Sequence, residues 1–532
     1  MVDVLLAHSY FLRFDTKQTQ KMKPYPPLAT LYIASQLREM GCSLALFDAM
    51  LSEGEHEFAA MLRTTQPRMV VLYEDNFNFL SKMCLSRMRE AACTMIEMAR
   101  QVGAFVIVAG SDVSDHPEVF LKSGAHVAVL GEGDHTVCEV VQQIQRLEMR
   151  DWRLRDSISN PSTSSGRSLQ FLISIPGIAY LDSQNLVRSP KRTPERNPDV
   201  FPFAAWDLLD VEKYRTAWTN AHGYFSLNLA STRGCPFHCN WCAKPIWGQR
   251  YAMRSPAHVA QEMALVKHTL HPDHLWFADD IFGLRPQWVA EFGHEVARHD
   301  AAIPFMIQSR ADLMTDEAVA GLKQAGCVEV WLGAESGSQK ILDAMDKGTT
   351  VQQIKNARMR LKQVGIKACF FIQFGYPGET WDDILLTINL VRETLPDNIG
   401  ISVSYPLPGT QFHDMVKAQL SEKDHWDDSD ELAMLFRGAY QTPFYKKLHR
   451  VLHLELEARQ KLEKEEIRDW RLEIESRNLQ SPISNLQSLL SNLQSEWNEL
   501  MQLEQDCRNE APTLIVKPYA QPITPDLSQA WN

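Results

Sequence analysis

Three cysteines lie in the string RGCPFHCNWC, at Cys235, Cys239 and Cys242, with a C-x3-C-x2-C spacing. Thiolates bind iron and zinc strongly, so cysteines clustered at this spacing imply a metal. Structural zinc sites use four ligands, usually as paired C-x2-C knuckles, and no second pair lies nearby. Three thiolates on a four-iron cluster would instead leave one iron open for a ligand. The rival reading is a zinc site, or three buried thiols with no metal. Replacing all three cysteines separates these readings.

Further residues that could do chemistry follow the cysteines at intervals. Acids stand together at Asp279-Asp280, and Arg310 follows the apolar run 304–308. Gly333-Ala334-Glu335-Ser336-Gly337 closes another run, and Gly375-Tyr376-Pro377-Gly378 the next. Each stands just past an apolar stretch, and parallel α/β folds place function at the carboxyl ends of strands. The bland alternatives are an Asp pair capping a helix, an ion pair for Arg310 and packing for Trp241.

The elements that must carry these residues read as strand-then-helix units. Residues 225–230, 274–278, 304–308, 329–333, 367–374 and 398–405 read as six strands, each followed by a helical pattern. Upstream, strands at 2–7, 43–47, 69–73, 104–109 and 126–130 alternate with helical stretches, implying a doubly wound parallel sheet. The expected organisation is four pieces. Residues 1–145 form the doubly wound domain, 146–224 a linker, 225–415 a barrel and 416–532 a helical C-terminal region. The linker holds a Ser/Asn/Gly-rich stretch, RDSISNPSTSSGRSL, expected to be unordered, and then a hairpin turning at 182–185. RDWRL occurs twice, at 150–154 and 468–472, and reads as a repeated surface insertion without chemistry.

These strings resemble the radical S-adenosylmethionine (SAM) enzymes that carry an N-terminal cobalamin-binding domain. This family includes class B radical methyltransferases and the anaerobic magnesium-protoporphyrin ester cyclases. The resemblance rests on RGCPFHCNWC, GAESG, FIQFGYPGET and YPLPGT, with PYPPLATLYIASQLREMG and VAVLGEGDHTVCEVV upstream. It implies a Rossmann-like cobalamin domain, a partial (β/α)6 barrel, and a 4Fe-4S cluster on the three cysteines. SAM would chelate the open iron. Asp279 or Asp280 would meet its amine, Arg310 its carboxylate, and Glu335 its ribose. Trp241 and Gly375 would line the adenine pocket, while Gly131 and Gly133 would let backbone approach cobalamin. The D-x-H-x-x-G motif is absent, so no histidine is expected on cobalt; His8 and His116 are the nearest candidates.

The implied chemistry begins with one electron cleaving the sulfonium to methionine and a 5′-deoxyadenosyl radical, which takes hydrogen from an unactivated carbon. Methyl transfer from cobalamin to carbon or phosphorus of a small molecule is the first expectation. Oxidative cyclisation of the ester-cyclase type is the second, and a non-enzymatic metal-binding regulator a third from another class. An electron donor such as flavodoxin or ferredoxin is implied. The net charge of −12 disfavours nucleic acid, which usually calls for a basic patch. No apolar run reaches membrane-spanning length, and the N-terminus does not read as a signal peptide. Ten cysteines in so long a chain, the seven outside the motif scattered, suit a reducing cytoplasm better than a disulfide framework.

Overall fold

The computed structural model describes residues 2–74, 86–150, 169–244, 246–420, 432–475 and 483–509. Nearly all of the Ser/Asn/Gly-rich stretch lies outside them. The chain forms two compact units. One comprises Met1–Pro236, Lys244–Phe282 and Glu291–Ile307; the other comprises Phe237–Ala243, Gly283–Ala290 and Gln308–Asn532.

In the first unit, β1 (Val4–Ala7), β2 (Leu44–Phe47), β3 (Met69–Tyr73), β4 (Phe105–Ala109) and β5 (Val127–Val129) are parallel. Their sequences are apolar throughout because helices cover both faces, so no alternation survives. Leu5, Val70 and Val106 from the strands meet Leu62, Met95 and Ile96 from helices in one core. The hairpin β6 (Ile178–Asp182) and β7 (Asn185–Arg188) continues this sheet, giving the order β2-β1-β3-β4-β5-β6-β7. β6 pairs antiparallel with β5, so part of the connector is sheet. Strand order reverses between β1 and β3, the place where open parallel sheets bind ligands.

The same unit holds β8 (Ser226–Leu229), a short ribbon of β9 (Thr232–Arg233) and β10 (Ala252–Met253), then β11 (His274–Phe277) and most of β12 (Phe305–Ser309). β8, β11 and β12 are parallel neighbours. In the second unit β13 (Cys327–Glu335), β14 (Lys367–Phe374) and β15 (Asn398–Val403) are also parallel. Helices 351–363 and 381–394 begin in capping boxes, Thr350 with Gln353 and Thr380 with Asp383. The six strands expected of a partial (β/α)6 barrel are therefore present, three in each unit. Two long helices, Thr442–Glu475 and Ile483–Asp506, make the C-terminal region helical, as expected.

Candidate active site

Cys235 leaves the ribbon of β9 and β10, whose register pairs Arg233 with Ala252. Gly234 has φ +78°, and a side chain there would press on the Arg250 carbonyl, so only glycine makes this turn. Lys244 Nζ donates to the Cys235 carbonyl at 3.1 Å. The buried Arg233 guanidinium reaches back to the Gly131–Asp134 turn. Its Nη1 donates to Glu132 Oε1 (2.6 Å) and Asp134 Oδ2 (2.8 Å), and its Nη2 to Asp134 Oδ1 (3.0 Å). Trp247 Nε1–H and the Glu195 N–H also donate to Glu132. Burial pushes the Glu132 carboxyl up despite Arg233. Both acids of this turn are thus committed to holding the strand that delivers Cys235.

Gly133 is demanded by packing, since a Cβ there would stand 2.6 Å from the Tyr73 ring. Gly131, at φ +79°, meets little: a Cβ would lie 3.5 Å from the Ile246 carbonyl. Of the acidic pair, Asp279 is buried and Asp280 exposed. Asp279 accepts from the Ser231 and Thr232 backbone N–H groups at 2.8 and 2.9 Å and from the Ser231 hydroxyl. Burial raises its carboxyl to about 6, against these hydrogen bonds. Asp279 therefore braces the segment after β8, and Asp280 is the outward member of the pair.

In the second unit, Asn240 pins the loop carrying Cys239 and Cys242. Its N–H reaches the Met345 carbonyl at 3.0 Å, its Nδ2 the Ala344 carbonyl at 2.8 Å, and its Oδ1 accepts from Tyr376 at 2.9 Å. Arg310 lies 3.6 Å from the centre of the Phe237 ring, pairs with Asp312, and sets Nη1 4.0 Å from Cys239 Sγ. A fixed cation beside the sulfur suits a thiolate ligand. Trp241 packs against the cluster of Ile341, Met345, Tyr376, Phe412, Val416 and Phe436, and its buried indole N–H has no partner among the described residues.

Glu335 ends β13 with φ +59°, after an irregularity in its pairing with β14. A non-glycine residue held there is strained, and such strain gathers at functional sites. The buried Lys347 ammonium holds Glu335 Oε1 at 2.7 Å. Burial alone would push that ammonium down, but Glu335 and the Cys239 sulfur outweigh it. Gly333 leaves room for the pair, since a Cβ there would stand 2.5 Å from Lys347 Nζ. Gly375, at φ +77°, donates its N–H to Glu379 Oε2 at 2.6 Å, and Met434 fills the space its side chain would take. Burial raises the Glu379 carboxyl to about 8.

Lys347, Asn240, Arg233 and Glu379 were not singled out in the sequence. Arg233 and Asn240 lie inside RGCPFHCNWC and Glu379 inside FIQFGYPGET, so three were within reach of a motif. Lys347 stands in none of the quoted strings and is defined by its partner Glu335.

Residues 229–391 match the Radical SAM superfamily. The chain therefore carries a radical SAM domain over those residues. An uncharacterized methyltransferase of Pyrococcus horikoshii is 25% identical over 393 residues, covering 73% of this chain and 77% of its own. The anaerobic magnesium-protoporphyrin IX monomethyl ester cyclase of Rubrivivax gelatinosus is 24% identical over 396 residues, covering 72% of this chain and 65% of the cyclase. Among solved structures, the cobalamin-dependent SAM radical enzyme OxsB with aqua-cobalamin and SAM bound shares the fold. Its TM-score is 0.67 at 16% identity, covering 94% of this chain and 80% of that one. The radical SAM methyltransferase TsrM of Kitasatospora setae gives a TM-score of 0.58 at 19% identity, covering 75% and 72%.

A radical SAM domain implies a 4Fe-4S cluster and SAM, and the donor set agrees. All three cysteines are half-buried and form no disulfide. Among the described residues no three His, Cys, Asp or Glu side chains converge as ligands of a single ion would. Thiolates around an iron–sulfur cube are not required to converge that way. Among the described residues no helix is long and apolar enough to cross a membrane.

Proposed function

We propose that this chain is a cobalamin-dependent radical SAM methyltransferase acting on an unactivated carbon, or a phosphorus, of a small molecule. One observation carries the reading. A doubly wound parallel sheet precedes the cysteine motif and is tied directly to it through Arg233, Glu132 and Asp134.

The carboxyl rim of that sheet fits a broad cofactor. Ser9, Gly110, Ser111, Ser114 and Gly131 are small. Glu74 fills the space at Gly110, while Gly131, at positive φ, keeps room beside it where parallel sheets take ligands. His8 is already engaged, its Nε2 lying 2.8 Å from Asp48 Oδ1 and 3.2 Å from the Ala49 N–H, so it does not present that nitrogen to a metal. When bound, the cluster supplies one electron to cleave the sulfonium, and cobalamin carries the methyl group.

The residues do the positioning. Cys235, Cys239 and Cys242 hold the cluster; Gly234, Lys244 and Asn240 fix their backbone. Arg310 stands by Cys239 to meet the methionine carboxylate, and Asp280, the exposed acid of its pair, approaches the amine. Glu335, oriented by Lys347, accepts from ribose hydroxyls. Trp241 and Gly375 flank adenine, and Gly131 approaches the corrin. A flavodoxin or ferredoxin supplies the electron, in the cytoplasm.

The test is anaerobic reconstitution of wild type and of the Cys235→Ala, Cys239→Ala, Cys242→Ala triple variant. Wild type should release 5′-deoxyadenosine from SAM under reductant and retain cobalamin; the triple variant should hold no cluster. A triple variant that still carries about four irons per chain overturns the cluster assignment. The ester-cyclase relatives favour one second reading, oxidative ring closure. A product that has lost hydrogen without gaining a methylene would establish it.

A further inference from the structure

The three strands of the second unit present two unlike faces. Val330, Leu332 and Ala334 of β13 and Phe370, Ile372 and Phe374 of β14 are fully buried. On the opposite face Trp331, Gly333, Phe371, Gly400 and Ser402 are only half-buried. A closed, packed β/α barrel would fill such a face with interlocking branched side chains. Here it carries glycines and an aromatic pair.

Trp331 and Phe371 stack with ring centroids 4.8 Å apart and an interplanar angle of 28°. Gly400, in register with Phe371 on β15, leaves the room in which the two rings pack. A Cβ at that position would stand 3.2 Å from the Trp331 ring and 3.3 Å from Phe371. Two residues beyond Phe371 on the same face comes Gln373. It is 95% buried, and its amide oxygen has no partner among the described residues. Gly333, in register with Phe371, lies under the Glu335–Lys347 pair.

Aromatic surface left half-buried mid-strand is within reach of a ligand, and a buried orphan acceptor marks a missing donor. Flat faces stacked in parallel complement a flat ligand better than a flexible chain. We infer that this face is the substrate platform and takes an aromatic or conjugated ring system bearing one hydrogen-bond donor. The ring lies along Trp331 and Phe371, and the donor meets Gln373. The position of Glu335 at the end of the same strand places the ring beside the ribose end of the cofactor, which rests on the function proposed above. Binding itself does not.

Equilibrium dialysis of the cluster-loaded full chain tests it, using 2-naphthol, naphthalene and 1-decanol as probes. 2-Naphthol should bind at least tenfold more tightly than 1-decanol. Trp331→Leu, which removes the flat face, and Gly400→Val, which displaces both rings, should each weaken 2-naphthol at least tenfold. Iron content should be unchanged. Trp331→Phe keeps a ring and should retain most binding. Gln373→Leu should weaken 2-naphthol but not naphthalene. Equal binding of 1-decanol would make the surface a general apolar one and overturn the inference. So would undiminished 2-naphthol binding in folded Trp331→Leu or Gly400→Val. Probe binding without 5′-deoxyadenosine formation would sink the radical function and leave the platform; SAM cleavage without probe binding would do the reverse.

Discussion

Glu379 is a carboxyl group buried without charge compensation, and its ionisation sets a pH dependence. In the unfolded chain it titrates near 4.5, whereas burial raises it to about 8 in the folded protein. Between those values the folded state binds the extra proton, so stability falls as pH rises and levels off above about 8. Glu379→Gln keeps a carbonyl for the Gly375 N–H and removes the titration. Its melting temperature relative to wild type should therefore climb by about 5 °C or more between pH 5.5 and 8, for a penalty on the order of a few kcal/mol. A constant difference across that range would show that Glu379 does not titrate there. Glu335 behaves differently, because its carboxylate balances Lys347. Glu335→Ala should destabilise by roughly 3 kcal/mol through the uncompensated buried ammonium. Glu335→Gln should lose far less stability yet cut 5′-deoxyadenosine formation about tenfold, roughly 1.4 kcal/mol of transition-state binding. Unchanged turnover in the Gln variant would remove Glu335 from the site. The cysteines were legible because ligand spacing is a local requirement, written within eight residues. Lys347 and Arg233 were not, since each is defined by partners 12 and 101 residues away.

At the scale of elements, the Gly234 turn decides whether the metal loop forms. Gly234→Ala would force a side chain into the Arg250 carbonyl at a backbone angle that L-residues rarely adopt. The variant should fold, with a melting temperature within a few degrees of wild type, but take up less than half the iron. Full iron loading would show that the loop tolerates another path. Eleven of the apolar strands could be read from the sequence to within a few residues, because parallel strands covered on both faces are continuous hydrophobic runs. The β9–β10 ribbon could not, since two-residue strands leave no periodicity. The Gly177–Val187 hairpin was expected, but its docking onto β5 was not. Pairing between segments 49 residues apart (Val129 with Ile178) depends on edge availability, which composition does not record.

At the scale of the molecule, the doubly wound sheet should hold about one cobalamin with no histidine nitrogen on cobalt. His8 is committed to Asp48 and Ala49, so the cobalt(II) form should show an electron paramagnetic resonance signal without nitrogen splitting. Splitting that disappears in His116→Ala would place that histidine on the metal instead. The Arg233 clamp has one more consequence, which concerns how this protein can be cut and recombined. A gene fragment starting ahead of β8 looks like a self-contained catalytic cassette, but it would carry Arg233 without its two carboxylates. The guanidinium two positions from the first cysteine would then lose its anchorage. Chimaeras that exchange the amino-terminal half should therefore carry the Gly131–Asp134 turn and Arg233 together, as one inherited piece. The seam in the reading frame and the seam in the mechanics do not coincide.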